Sequence, residues 1–180
     1  DAALDVDVSL PDVLLVALSA TLAEHPEFNA TYEDGTHRLY AEHNVGVAVD
    51  IEAGLVAPVL GDLGSKSLAE IATERREATR RALDGDYSMD DLANGTFTVT
   101  NLGALGVEAF DPVINPPQVA ILGVDALSED VVPTDDGDVT VRRRLPVDLS
   151  FDHRVVDGAD AARFMNTLKS YLADPTRLLA

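Results

Sequence analysis

Residues 150–158 read Ser-Phe-Asp-His-Arg-Val-Val-Asp-Gly and set His153 four positions before Asp157, with Gly158 immediately after. An imidazole with an unperturbed pKa of about 6.5 can accept a proton near neutral pH, and a carboxylate one helical turn away can orient or brace the site. The chemistry that suits such a pair is activation of a nucleophile for acyl transfer. Asp157 carries a second reading as the N-terminal cap of a helix beginning near Ala159, with Gly158 permitting a tight entry.

Acyl transfer also needs a hydrogen-bond donor held about 3 Å from the oxygen on which negative charge develops. Residues 96–100, Thr-Phe-Thr-Val-Thr, alternate with the period of a strand and put Thr96, Thr98 and Thr100 on one face. Spacing alone does not choose between Thr98 and Thr100. Asn101, Gly103 and Gly106 shape the loop that follows, where glycines let the backbone approach another segment closely. Asn115-Pro116-Pro117 reads as a rigid turn.

Composition removes several alternatives. The 180 residues include no cysteine, so disulfides, zinc–thiolate sites and a cysteine nucleophile are excluded. His25, His37 and His43 lack paired ligand spacing and no carboxylate cluster accompanies them, so no metal is expected. Gly61-Asp-Leu-Gly-Ser-Lys66 lacks the spacing of a phosphate-binding loop and reads as a turn. Thirteen basic against thirty-two acidic residues give a net charge of −19, which opposes binding to nucleic acid or anionic membrane. No apolar run approaches the ~20 residues of a membrane span and the first residues do not read as a secretory signal, so a soluble, cytoplasmic protein is expected. The scattered acidic excess, with only Lys66 and Lys169 as lysines, suggests adaptation to a salt-rich cytoplasm, where screening shortens to about 3 Å at 1 M salt.

The elements that must position these groups follow from periodicity and punctuation. Pro11 to Glu24 is nearly all apolar and reads as a helix buried on most sides, with Pro11 in its tolerated first turn. Asn29 to Tyr32, Arg38 to Ala41 and Val45 to Ile51 read as strands. Ser67 to Leu83 reads as an amphipathic helix opened by a Ser67/Glu70 capping box and stopped by Asp84-Gly85. Residues 96–100, Val119 to Val124 and Leu145 to Phe151 are further strands. Ala159 to Leu172 is a helix ended by Asp174-Pro175. Strands mixed with a few helices predict an α+β fold, with residues 1–180 forming one domain.

The His153–Gly158 motif, Gly95-Thr-Phe-Thr-Val-Thr-Asn-Leu-Gly103 and Ile114-Asn-Pro-Pro-Gln-Val-Ala-Ile-Leu-Gly-Val124 together resemble the catalytic domain of dihydrolipoamide acyltransferases, the E2 components of 2-oxo acid dehydrogenase complexes. His25-Pro-Glu-Phe-Asn-Ala30 resembles the segment after that family's early helix, and Gly54-Leu-Val-Ala-Pro-Val59 its central strand. The family's opening arginine-bearing helix and first strands have no counterpart here.

The resemblance implies a chloramphenicol acetyltransferase-like two-layer sandwich of mixed sheet and helices. It implies that His153 is the general base, that Thr100 donates to the oxyanion, and that Asp157 steadies the site through an arginine, for which Arg154 or a neighbouring subunit is the available source. Coenzyme A is then a substrate. The lipoyl group is carried on a domain outside this chain, since neither lysine lies in a lipoylation context, and E1 and E3 components engage through modules also outside it. A homotrimer is implied, with His153 facing Thr100 of a neighbour, assembling into a cubic or dodecahedral core through the apolar end Leu178-Leu179-Ala180. Two alternatives remain at this level: a catalytically silent E2-like structural core, and a stand-alone acyltransferase acting on a small hydroxyl or amine acceptor.

Overall fold

A computed structural model of the protein describes residues 7–134 and 136–178. Helix α1 (Leu10–Glu24) opens on a capping box in which Ser9 and Asp12 satisfy each other's ends, and it buries Leu14, Leu15, Leu18 and Leu22. Its burial on most sides follows from the lack of any polar stripe. Asp12 is also fully buried, and it is paired with Arg75 of helix α2 (Leu68–Asp84). The Ser67/Glu70 capping box of α2 and its left-handed stop at Gly85 stand where the sequence put them. Helix α3 (Gly158–Ala173) completes the layer and buries Phe164 and Leu168.

These helices cover one face of a five-stranded mixed sheet. Its strands are β3 (Val45–Val47), β6 (Val59–Leu60), β7 (Phe97–Asn101), β8 (Ala120–Val124) and β11 (Val147–Phe151), in the spatial order β11-β8-β7-β3-β6. Strand β7 runs parallel to both neighbours, while β11 and β6 are antiparallel edges. Alternation sends Phe97 and Val99 of β7, with Leu122 and Val124 of β8, into the core beneath the helices. The Phe164 ring lies 4.5 Å from that of Phe28 and 6.1 Å from that of Phe97, pinning α3 to the sheet.

Three hairpins lie outside this sheet: β1 (Ala30–Glu33) with β2 (Thr36–Leu39), β4 (Val49–Ile51) with β5 (Gly54–Val56), and β9 (Ser128–Pro133) with β10 (Val139–Arg144). They correct three sequence expectations. The strand read at Arg38–Ala41 is Thr36–Leu39, because the Asp34-Gly35 turn closes tightly with both residues at positive φ. Val45–Ile51 is two strands rather than one, since the Ala48 N–H still donates to Val99 O before the chain leaves the sheet for its own hairpin. Gly54–Val59 is not a central strand: it supplies a hairpin arm and an edge strand. Of the apolar end, Leu178 closes a short 3-10 turn, while Leu179 and Ala180 lie outside the described residues.

Candidate active site

The chain reaches His153 by running off the end of β11. The Asp152 N–H donates to Val119 O at 2.8 Å, a last ladder bond, after which residues 153–155 turn toward α3. Arg154 fixes this turn from outside. Its guanidinium donates to both oxygens of Asp152 and lies over the Tyr32 ring, 4.5 Å from the centroid. The same hydrogen bonds hold the Asp152 carboxyl below the usual range. Arg154 therefore does not brace Asp157.

Asp157 acts as the cap of α3, accepting from the N–H of Ala159 at 2.8 Å and of Asp160 at 3.2 Å. The Asp160 and Ala159 N–H groups lower its pKa. Gly158 is not needed for clearance, because a Cβ there would meet no atom within 4 Å. Between this cap and the Arg154–Asp152 pair, the His153 ring stays exposed, 5.7 Å from the ring of Phe151.

The other histidines are occupied. His25 bonds Thr167 at 2.9 Å, the His37 ring N–H reaches Glu27 O, and buried His43 bonds Ser19 at 2.8 Å, with burial lowering its pKa. Among the described residues, His153 is the histidine whose ring makes no side-chain hydrogen bond and remains available to a ligand. No three His, Asp or Glu among the described residues are grouped as a metal site would need.

Thr96, just before β7, and Thr98 and Thr100 on it separate by what they touch. Thr96 bonds Asn29 and Thr98 bonds Gln118, each at 2.6 Å and buried. Thr100 is half-buried, makes no side-chain hydrogen bond among the described residues, and borders a cavity of about 370 Å³. The turn after it is tightly made. The Ala104 N–H donates to the Asn101 carboxamide at 3.2 Å, Gly106 takes φ +83, and a Cβ on Gly103 would stand 2.0 Å from the carbonyl oxygen of Asp125. Gly103 is thus a site of close backbone approach.

His153 and Thr100 do not meet within one chain. Thr98 stands level with Ile121 of β8, and Phe151 of β11 level with Ala120. Asp152 therefore lies four residue rises from Thr100 along the strands, about 13 Å, and two strand spacings across, about 10 Å. A single imidazole does not span that gap.

The model of the 2-oxoacid dehydrogenases acyltransferase catalytic domain matches residues 2–180. This chain belongs to that family. It is 40% identical over 168 residues to the dihydrolipoyllysine-residue acetyltransferase component of the Haemophilus influenzae pyruvate dehydrogenase complex, covering 92% of this chain and 30% of that protein. The chain thus spans about a third of that relative's length. Among solved structures, it matches the Azotobacter vinelandii dihydrolipoamide acetyltransferase with a TM-score of 0.92 and 36% identity, over 98% of this chain and 73% of that one. The cubic core of a pyruvate dehydrogenase multienzyme complex matches with the same figures. Work on the Azotobacter enzyme addressed a serine, a histidine and an asparagine in its catalytic mechanism, the last two spaced four apart. Chloramphenicol acetyltransferase matches with a TM-score of 0.53 at 16% identity over 91% of this chain and 78% of that one, a likeness of fold.

Proposed function

We propose that this chain is the acyl-transfer domain of a longer protein, moving an acyl group between a dihydrolipoyl thiol and coenzyme A. The observation that carries the reading is His153: exposed, free of side-chain hydrogen bonds among the described residues, and followed four positions later by the aspartate that caps α3. The histidine and asparagine studied in the Azotobacter relative have the same spacing. His153 removes the proton from the attacking thiol. The thiolate adds to the thioester carbonyl, and the tetrahedral oxyanion collapses to expel the second thiolate, which recovers the proton from the imidazolium. No acyl-enzyme is formed, so rate comes from orientation and from donors aimed at the oxyanion.

Thr100 is the oxyanion donor, and it is supplied by a second copy of the chain. The register separation within one chain supports this assignment, as does the free hydroxyl of Thr100 beside two threonines already bonded. A closed ring of copies places every His153 against a neighbour's Thr100, and a trimer is the smallest such ring beyond a dimer. The lipoyl arm and the contacts with E1 and E3 belong to other parts of the protein. Lys66 is tied to Glu74 and Gly61 O, which suits a structural rather than a lipoyl-bearing lysine.

The test is transfer from acetyl-CoA to free dihydrolipoamide, followed by loss of one thioester and appearance of the other. Transfer that depends on both substrates is expected; a folded, assembled protein that gives none overturns the reading.

A further inference from the structure

The two residues that flank His153 in the chain are tied to each other by their side chains, and the acyl-transfer chemistry gives neither a part. Residues 152–155 form a turn closed by the Val155 N–H, which donates to Asp152 O at 3.2 Å, so His153 and Arg154 are its central residues. The Asp152 carboxylate closes the same turn a second time. Its Oδ1 accepts from the Arg154 backbone N–H at 3.0 Å, in the manner of an Asx turn. Both oxygens also take the Arg154 guanidinium, Nε lying 2.9 Å from Oδ1 and 3.0 Å from Oδ2, with Nη2 on Oδ2. A forked, charge-assisted contact fixes orientation as well as distance.

A distant part of the chain completes the frame. Tyr32 of β1, whose ring underlies the guanidinium, and Asp152 are both hung on segment 117–119, which leads into β8. The Tyr32 N–H donates to Pro117 O at 2.7 Å, the Asp152 N–H to Val119 O at 2.8 Å, and the Val119 N–H to Ala30 O at 3.0 Å. Val119 is buried in the core, as is Val156 just beyond the turn. Arg154 thus bridges two anchors that share one fixed base. Its side chain is exposed, and exposed ion pairs add little to stability, so what this bridge can supply is geometry.

We propose that Arg154 is a positioning residue for His153: by bridging Asp152 to Tyr32, its guanidinium fixes the turn that aims the imidazole at the attacking thiol. The proposal rests on His153 being the general base. Without the bridge the turn loosens, and the ring spends less time in line with the thiol proton. That costs rate and leaves substrate binding alone. Lysine is no substitute, because an ammonium neither forks onto both carboxylate oxygens nor lays a plane on the tyrosine ring.

Arg154→Ala and Arg154→Lys each lower kcat for acyl transfer about 10–10²-fold, with KM for dihydrolipoamide and acetyl-CoA, melting and assembly little changed. Millimolar methylguanidinium, too dilute to denature, restores part of the kcat of Arg154→Ala and adds nothing to the unaltered protein, a rescue that a merely structural role would not give. Tyr32→Leu, which removes the platform and keeps the ion pair, lowers kcat in the same direction by less. Combined with Arg154→Ala it adds no further loss. Hydrogen exchange at the Val155 amide is faster in Arg154→Ala than in the unaltered protein. An unchanged kcat in Arg154→Ala, or a loss that follows melting and that methylguanidinium does not restore, overturns the proposal. Should Arg154→Ala fail to fold, an unchanged kcat in Tyr32→Leu overturns it equally. If the unaltered protein transfers no acyl group, faster Val155 exchange in the variant supports the clamp on the turn and overturns the acyl-transfer reading instead, whereas matching exchange overturns the clamp.

Discussion

The two ends of the central sheet are built differently. At the β11 end, His153 stands on an exposed turn steadied by groups on either side, the Arg154–Asp152 pair and the Asp157 cap, while its ring stays free. At the β7 end, Thr100 is part of the strand itself, and the turn beyond it is closed against Asp125 with no spare volume. A general base has to exchange protons with thiols and solvent, which suits an accessible ring on a turn. An oxyanion donor works by not reorganising, which suits a hydroxyl fixed by a ladder. On the proposed reading, one sheet carries both halves of a site because its two ends meet different copies of the chain.

Substitution at each end should break a different half. His153→Ala should cost about 10²–10⁴-fold in acyl transfer while circular dichroism and assembly remain unchanged. A folded variant with an unaltered rate would remove His153 from the mechanism. Thr100→Val should lower kcat about 10²–10³-fold with little change in melting. Its neighbour on the same face gives the opposite pattern. Thr98→Val leaves the Gln118 carbonyl buried without its donor, so it should cost about 1–3 kcal/mol of stability and spare the rate per folded molecule. Equal effects of the two valines on kcat would erase the distinction drawn between these threonines.

That distinction shows where sequence reading stops. The period-2 alternation of residues 96–100 marks the strand and its threonine face, and the Ser67/Glu70 box marks α2, because both signals are local. Choosing among the threonines depends on Asn29 and Gln118, which only the fold brings near. The β9–β10 hairpin carries no clear local signal, because its apolar alternation is broken by charges. Arg144 pairs with Asp130 across the ribbon, and the Glu129–Arg143 register cannot be read from either strand alone. Sequence proximity makes Arg154 a candidate brace for Asp157, yet Tyr32, distant in the chain, and Asp152 claim it. The buried Asp12–Arg75 pair is equally non-local, and nothing in either residue's neighbours announces it.

A smaller effect sharpens the account of the His153 end. Asp157→Ala should lower the melting temperature by about 2–4 °C at pH 7. The folded pKa of Asp157 is depressed, so its contribution is present above the ordinary aspartate value of 3.8 and fades as pH falls below it, and the two melting curves should converge in acid. A gap that persists unchanged at low pH would mean that the carboxylate cap is not its source.

The weakest expected effect concerns the charge of −19, which packed copies must bring together. Molar potassium chloride should raise both melting temperature and the assembled fraction in sedimentation, because screening removes repulsion while apolar contacts persist. Greater stability at low salt would contradict adaptation to a salt-rich environment and leave the site untouched.

The central claim, a site shared between copies, is tested most directly by mixing two inactive proteins. His153→Ala and Thr100→Val are unfolded together, refolded as one population and assayed for acetyl transfer to dihydrolipoamide. If each site takes His153 from one copy and Thr100 from the next, random mixing restores about a quarter of the sites, those joining the intact His153 of one variant to the intact Thr100 of the other. Activity that stays at the level of the separate variants, in a mixture shown to contain hybrid assemblies, would place both groups within a single chain and contradict the account.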